Sequence, residues 1–143
     1  MDKLNLDTKV LLSTLWIFVL INMIYADIIG MLRPGYIELL NQMSQKLSSS
    51  TVLIFSVLME IPILMILLSR ILSINLNKIA NYIAVPISIV YVIFGGLDNP
   101  PVSYMFFATI EIFTMLFIFI LSYKWKQPIV NEINHRSENQ RSF

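Results

Sequence analysis

Four long runs of apolar residues, separated by short polar segments, dominate the hydropathy pattern of this chain. Each run is about 20 residues long, which is the length of helix that crosses roughly 30 Å of hydrocarbon. Only helices and closed barrels satisfy the whole backbone in lipid, and these runs lack the alternation of a barrel strand. The pattern predicts an all-α bundle of four transmembrane helices, over residues 10–32, 51–72, 79–97 and 102–123.

The composition supports a membrane protein and excludes several other classes. Hydrophobic residues make up 57% of the 143 and charged residues 13%, against about 45–50% and about 25% in soluble domains. The net charge of +1 is too small and too scattered for a nucleic-acid surface. Because cysteine is absent, disulfides and thiolate metal sites are excluded. The expected partners are the lipid bilayer and, within it, a second copy of the chain or another membrane subunit.

The residues that flank the spans predict the topology. The first run is too long for the core of a signal peptide and lacks a small-x-small cleavage site, so it is interpreted as a retained helix. Basic residues collect on one side, which predicts a protein of the cell (inner or plasma) membrane with both termini in the cytoplasm. On that side are Lys3, Lys9, Arg70, Lys78, Lys124 and Lys126, and on the other are Arg33 and Lys46.

Two segments fall outside the spans. In the outer loop 33–50, apolar residues recur at helical spacing at Tyr36, Leu40, Met43 and Leu47. This pattern is typical of a short helix in the membrane interface, and it fits a lid packed on the bundle equally well. Residues 126–143 are polar and are predicted to form a disordered cytoplasmic tail. Residues 1–125 would then form a single membrane domain.

An internal repeat relates the two halves of the chain. When the first span is aligned with the third without gaps, and the second with the fourth, several of the rarer residues coincide. Such a match predicts two helical hairpins related by a pseudo-twofold axis along the membrane normal, with any site between them. The coinciding pairs are Trp16 with Tyr82, Asn22 with Ser88, Tyr25 with Tyr91, Gly30 with Gly96, Pro34 with Pro100 and Glu60 with Glu111.

Three acidic residues inside the spans are the main functional clue: Asp27, Glu60 and Glu111. An ionised acid at the bilayer centre costs about 2.5–3.5 kcal/mol, so each should face the bundle, pair or carry a proton. Glu60 and Glu111 each lie nine residues into their predicted spans, hence at one level. Two such carboxyls cannot both stay ionised without a cation or water between them.

The shared depth of Glu60 and Glu111 predicts a protonation switch or a cation site between them. The alternative is that the two carboxyls only form hydrogen bonds that hold helices together. The candidate residues for ligand or proton binding are Asp27, Ser56, Glu60, Asn81, Tyr91 and Glu111.

Several chemistries can be rejected. The single histidine, His135, lies in the polar tail, so no intramembrane histidine pair is available for haem or a di-iron centre. No phosphate-binding loop or Ser-His-Asp set is present, and no catalytic residue, cofactor or metal is predicted. We expect a small binding or transport protein for a proton, a cation or a small amphiphile. The alternatives are a non-catalytic accessory subunit and, less favoured, a membrane enzyme acting on a lipid or quinone.

The motifs around the acids resemble a family of small bacterial four-helix membrane proteins that has no assigned function. The resemblance covers most of residues 8–125 and implies the same topology and the same choice of acidic residues, but no substrate. A looser resemblance, in size and topology, is to the DoxX-like membrane proteins. The motifs of the first resemblance are Tyr25-x-Asp27, Arg33-Pro34-Gly35, Met59-Glu60-Ile61-Pro62 and Ile110-Glu111-Ile112.

Overall fold

The computed structural model describes residues 3–96 and 100–125, and of residues 3–6 it describes the backbone alone. All regular secondary structure in this part of the chain is helical. Four of its helices are long and apolar enough to cross a membrane, so the predicted fold, an all-α bundle with four spanning helices, is confirmed. The helices are α1 (Lys3–Met31), α2 (Tyr36–Lys46), α3 (Ser49–Ile71), α4 (Ile74–Gly95) and α5 (Val102–Lys124). The tail predicted for residues 126–143 lies outside the described residues.

The third spanning helix begins earlier than the hydropathy pattern predicts. It starts at Ile74, whereas the polar residues that follow moved the predicted start to residue 79. One of them, Asn77, is fully buried, and its Nδ2 donates a hydrogen bond to the Ser69 carbonyl at 2.6 Å. Ser69 lies in the last turn of α3, where helix carbonyls lack partners along their own chain. The asparagine therefore caps one helix while it extends the next.

The four spanning helices form a ring in which α1 packs against α3 and α5, and α4 packs against the same two helices. Among the described residues no Cα atom of α1 comes within 8 Å of α4, and the same holds for α3 and α5. These are the two diagonals of the ring. The predicted pseudo-twofold axis would exchange α1 with α4 and α3 with α5, which this ring permits, and the repeat itself remains a prediction.

A hydrogen bond crosses the centre of the ring. The indole Nε1 of Trp16, on α1, donates to Oδ1 of Asn81, on α4, at 2.8 Å. The Asn81 Nδ2 in turn donates to the carbonyl and the side-chain oxygen of Asn77. All three side chains are fully buried. Since lipid offers no hydrogen-bonding partner, this network gives buried polar groups internal partners and joins α1 and α4 through their side chains.

A second set of polar contacts joins α1 to α3 near the same end. Ser13 Oγ donates to the Ile66 carbonyl at 2.8 Å, and Arg70 Nε donates to Ser13 Oγ at 3.1 Å. We call this end of the bundle, which holds the short connection between α3 and α4, the turn end. The opposite end, where α2 follows α1, is the α2 end.

The bundle is more enclosed at the turn end than at the α2 end. Lys9 and Asp27 lie five helical turns apart on one face of α1, yet Lys9 is only 8% exposed whereas Asp27 is exposed. The difference arises from α3, whose buried residues Pro62, Met65 and Ser69 all belong to its turn-end half. No residue from 49 to 61 is buried, so α3 covers little of the interior at the α2 end.

Helix α2 forms in the outer loop, where the spacing of apolar residues indicated a helix. Gly35, in the left-handed conformation with φ 77°, reverses the chain before it. The ring of Tyr36 lies over Gly30, where an added Cβ would be 3.6 Å away. No residue of α2 is buried, which does not fit a lid packed on the bundle. Its location in the membrane interface remains a prediction.

The central hydrogen bond gives a prediction about stability. Asn81→Leu should lower the free energy of unfolding in detergent by roughly 1–2 kcal/mol, because it removes three hydrogen bonds and leaves the Trp16 N–H unpaired. Thr109→Val is the control, since Thr109 bonds only to the Met105 carbonyl of its own helix. It should change the free energy of unfolding by only a small fraction of the loss expected for Asn81→Leu. Equal stability of the Asn81→Leu and wild-type proteins would contradict a structural role for the network.

Candidate functional site

Glu111 is the one predicted acid that the bundle encloses. It lies on α5, which packs between α1 and α4, and its side chain is 3% exposed. Its Oε1 atom is buried and has no hydrogen-bond partner among the described residues. Burying a carboxyl oxygen without a partner is unfavourable, so this atom is where a proton, a water molecule or a ligand would be bound most favourably.

Two other buried polar residues lie at the level of Glu111. Ser88, on α4, is 3% exposed and its Oγ also lacks a partner in the described part of the chain. Asn22, on α1, is 8% exposed and donates from Nδ2 to the Phe18 carbonyl. All three residues lie seven to nine positions from the α2-end terminus of their helix, a depth of roughly 10–14 Å. We call Asn22, Ser88 and Glu111 the polar floor.

Asp27, Tyr91 and Tyr104 lie nearer the α2 end than the polar floor does, and we call them the mouth. They lie two to four positions from the α2-end terminus of their helices, or about 3–6 Å deep. The Asp27 and Glu111 carboxyls interact electrostatically with each other. Both also interact electrostatically with the hydroxyls of Tyr91 and Tyr104, so these four side chains lie near one another. One site thus combines two carboxyls with two tyrosines.

Glycine residues at the end of α4 determine where Tyr104 lies. Its hydroxyl donates to the Val92 carbonyl at 2.6 Å, which is left free because the Gly96 N–H bonds to the Ile93 carbonyl instead. A Cβ at Gly95 would collide with the Tyr104 hydroxyl, and a Cβ at Gly96 would be 3.0 Å from its ring. The absence of side chains at these positions lets the ring pack against the helix backbone.

The other predicted site residues lie elsewhere. Asn81 is buried, but its amide is used in the network with Trp16 and Asn77. Ser56 and Glu60 are exposed on α3, and Ser56 Oγ donates to the Val52 carbonyl within its own helix. The expected pairing of Glu60 with Glu111 is wrong because Glu60 is exposed on the outer face of α3, whereas Glu111 is buried inside the bundle. Equal depth along two helices does not determine how each is rotated about its axis.

Three residues of this site were not among the sequence candidates: Asn22, Ser88 and Tyr104. Two signals could have found them. Asn22 and Ser88 coincide in the internal repeat, and Tyr104 precedes Glu111 by two helical turns on the same face of α5. Both signals are weaker than that of an acid in a membrane span, which is the rarer observation.

The donor set constrains what the site can bind. It consists of oxygen atoms from two carboxyls, two phenols, a hydroxyl and an amide. Among the described residues, no group of three or more His, Cys, Asp and Glu side chains is placed to hold a metal ion. A small cation, an organic ammonium ion or a proton with water matches this combination of oxygens and low charge better than a transition metal does.

Four apolar spanning helices around a buried carboxyl define the molecule as a multi-pass integral membrane protein of the four-helix-bundle class. The chain matches the family of unknown function DUF6326 over residues 3–132, and it belongs to that family. This identifies the uncharacterised family that the motifs resembled, while the looser resemblance to DoxX-like proteins is not shown. No curated protein and no solved structure matches the chain.

The packing of Tyr104 gives a prediction that compares two glycines. Gly95→Ala should lower the melting temperature and displace the Tyr104 hydroxyl, because the added methyl group would occupy its position. Gly30→Ala is the matched control, since its Cβ would make an ordinary 3.6 Å contact with Tyr36. In a Tyr104→Phe background, where the hydroxyl is absent, Gly95→Ala should destabilise less. The same loss in both backgrounds would contradict the packing described here.

Proposed function

We propose that this protein is a small membrane binding or transport protein whose site is the polar floor and mouth described above. Its ligand is a proton or a small cation, or an amphiphile that carries a cationic group. The observation that carries the proposal is the buried Oε1 of Glu111, which has no partner among the described residues although it lies below an open, carboxyl-containing mouth. A purely structural acid would be expected to have a partner.

The arrangement of the site supports access from the α2 end. Asp27 is exposed there and interacts electrostatically with Glu111, which is buried about one and a half helical turns deeper. At the turn end, the Trp16 and Asn81 network fills the interior. A cation that entered at the α2 end would meet Asp27 first and Glu111 last, with the two tyrosines beside its path. Aromatic rings favour an organic cation through cation–π attraction.

We also infer that the protein lies in the cell (inner or plasma) membrane with both termini in the cytoplasm. The turn end carries most of the basic residues beside the spans, including Lys9, Arg70, Lys78 and Lys124, and basic residues favour the cytoplasmic side. In this orientation the mouth faces the outside of the cell. The site would then exchange its ligand with the external solution or with the outer leaflet.

The second candidate is an accessory subunit of a larger membrane assembly, with no ligand of its own. The observation that favours it is the structural use of Asn81, a predicted site residue whose amide instead ties helices together. Affinity purification from the native membrane separates the two proposals. An accessory subunit should bring down another membrane protein in a fixed ratio, and a binding or transport protein should purify without one.

Replacing Glu111 tests the site directly. The melting temperature of the purified protein should rise when sodium, potassium or dodecyltrimethylammonium ions are added, because a ligand that binds the folded state stabilises it. Glu111→Gln should abolish the rise, since the amide lacks the negative charge. Glu60→Gln is the control and should respond as the wild type does, because Glu60 is exposed on α3.

For proton binding, the readout is the infrared difference spectrum across the neutral pH range. It should contain a carboxyl band that is lost in Glu111→Gln and kept in Glu60→Gln. If Glu111→Gln keeps both the cation response and the titrating band, the proposed site is wrong.

A further inference from the structure

Glu60 points outward from the bundle. The buried residues of α3 are Pro62, Met65 and Ser69, and at 3.6 residues per turn Glu60 lies between about 140° and 180° away from each of them. Its side chain is exposed. The carboxyl is therefore on the face of α3 opposite the one that packs against α1 and α4, where the single chain would leave it in contact with lipid.

The depth of Glu60 makes this position unfavourable for a lone chain. Glu60 lies eleven residues from each end of α3, or roughly 16 Å from either end of the helix. Within residues 3–96 and 100–125 its carboxyl makes no hydrogen bond or ion pair. Ser56, one turn away on the same face, is satisfied by the Val52 carbonyl. Glu60 is thus a polar group near mid-membrane that needs a partner from outside the chain.

We propose that the outer face of α3 binds a second copy of this chain in the same orientation, through a hydrogen-bonded pair of protonated Glu60 carboxyls. A protonated carboxyl has one donor and one acceptor, so two of them satisfy each other reciprocally. A twofold axis along the membrane normal brings the same residue of each copy to the same depth. A second copy therefore supplies the required partner at the required level.

The rest of the outer face of α3 suits a helix–helix contact. Only 11% of the apolar window of α3 is buried within the chain, compared with 22–33% for the other three spans, so most of its surface remains available. Ser56 is small enough to let two helices approach closely. Leu53, Val57 and Leu64, each exposed, flank the carboxyl and would pack against their counterparts. This interface is separate from the polar floor and does not depend on the proposed function.

The absence of cysteine makes a disulfide test clean. Ser56→Cys should form a disulfide-linked dimer when native membranes are oxidised, because residue 56 lies beside the proposed axis. Thr109→Cys on α5 is the matched control. Ser56 and Thr109 each lie seven residues into their helix, are exposed, and bond to the carbonyl four residues before them. The Thr109→Cys protein should not form the disulfide-linked dimer, because residue 109 lies away from the proposed interface.

Substitutions at Glu60 identify the interaction. In the Ser56→Cys background, Glu60→Leu should lower dimer association roughly tenfold, equivalent to about 1.4 kcal/mol. It should not impair folding, because leucine is well suited to a lipid-facing position. Glu60→Gln should keep the dimer, since an amide is also self-complementary.

Three results would overturn the proposal. The first is equal cross-linking of the Ser56→Cys and Thr109→Cys proteins. The second is no loss of the dimer in Glu60→Leu. The third is loss of the dimer in Glu60→Gln, which would indicate a charged partner instead of a paired carboxyl.

Discussion

The hydrogen bond between the Trp16 indole and the Asn81 amide joins two helices whose backbones do not approach each other. In water such a contact would contribute modestly, because either group could bond to solvent instead. In lipid both groups must find a partner in the protein. This requirement fixes the rotation of α1 and α4 and fills the centre of the bundle at the turn end. The ring of four helices is organised around it.

The same constraint bears on the proposed site at the α2 end. At the turn end Ser13 Oγ donates to the Ile66 carbonyl and accepts from Arg70 Nε. The buried hydroxyls of Ser69 and Ser122 at that end have no partner among the described residues. At the α2 end α3 contributes no buried residue, and the interior contains polar atoms without partners on Ser88 and Glu111. What distinguishes the α2 end is a buried carboxyl oxygen without a partner among the described residues, because an unpaired carboxyl costs more to bury than a serine hydroxyl does.

Sequence reasoning predicted the fold well because length and hydropathy determine spanning helices almost directly. It predicted the level of Glu111 along its helix for the same reason. It could not predict that Glu60 and Glu111 face in opposite senses, because uniformly apolar spans carry little information about which face of each helix packs inward. The internal repeat reinforced the error, since it pairs two acids whose environments differ: Glu60 is exposed and Glu111 is 3% exposed.

The interior is more enclosed at the turn end than at the α2 end, and cysteine reactivity tests this difference most directly. Asp27→Cys and Lys9→Cys place thiols on one face of α1, at its two ends, in a chain that has no other cysteine. In detergent, where a hydrophilic maleimide reaches both ends of the bundle, Asp27→Cys should react rapidly while Lys9→Cys stays protected until the protein unfolds. Equal reaction rates of the two folded variants would contradict the claim.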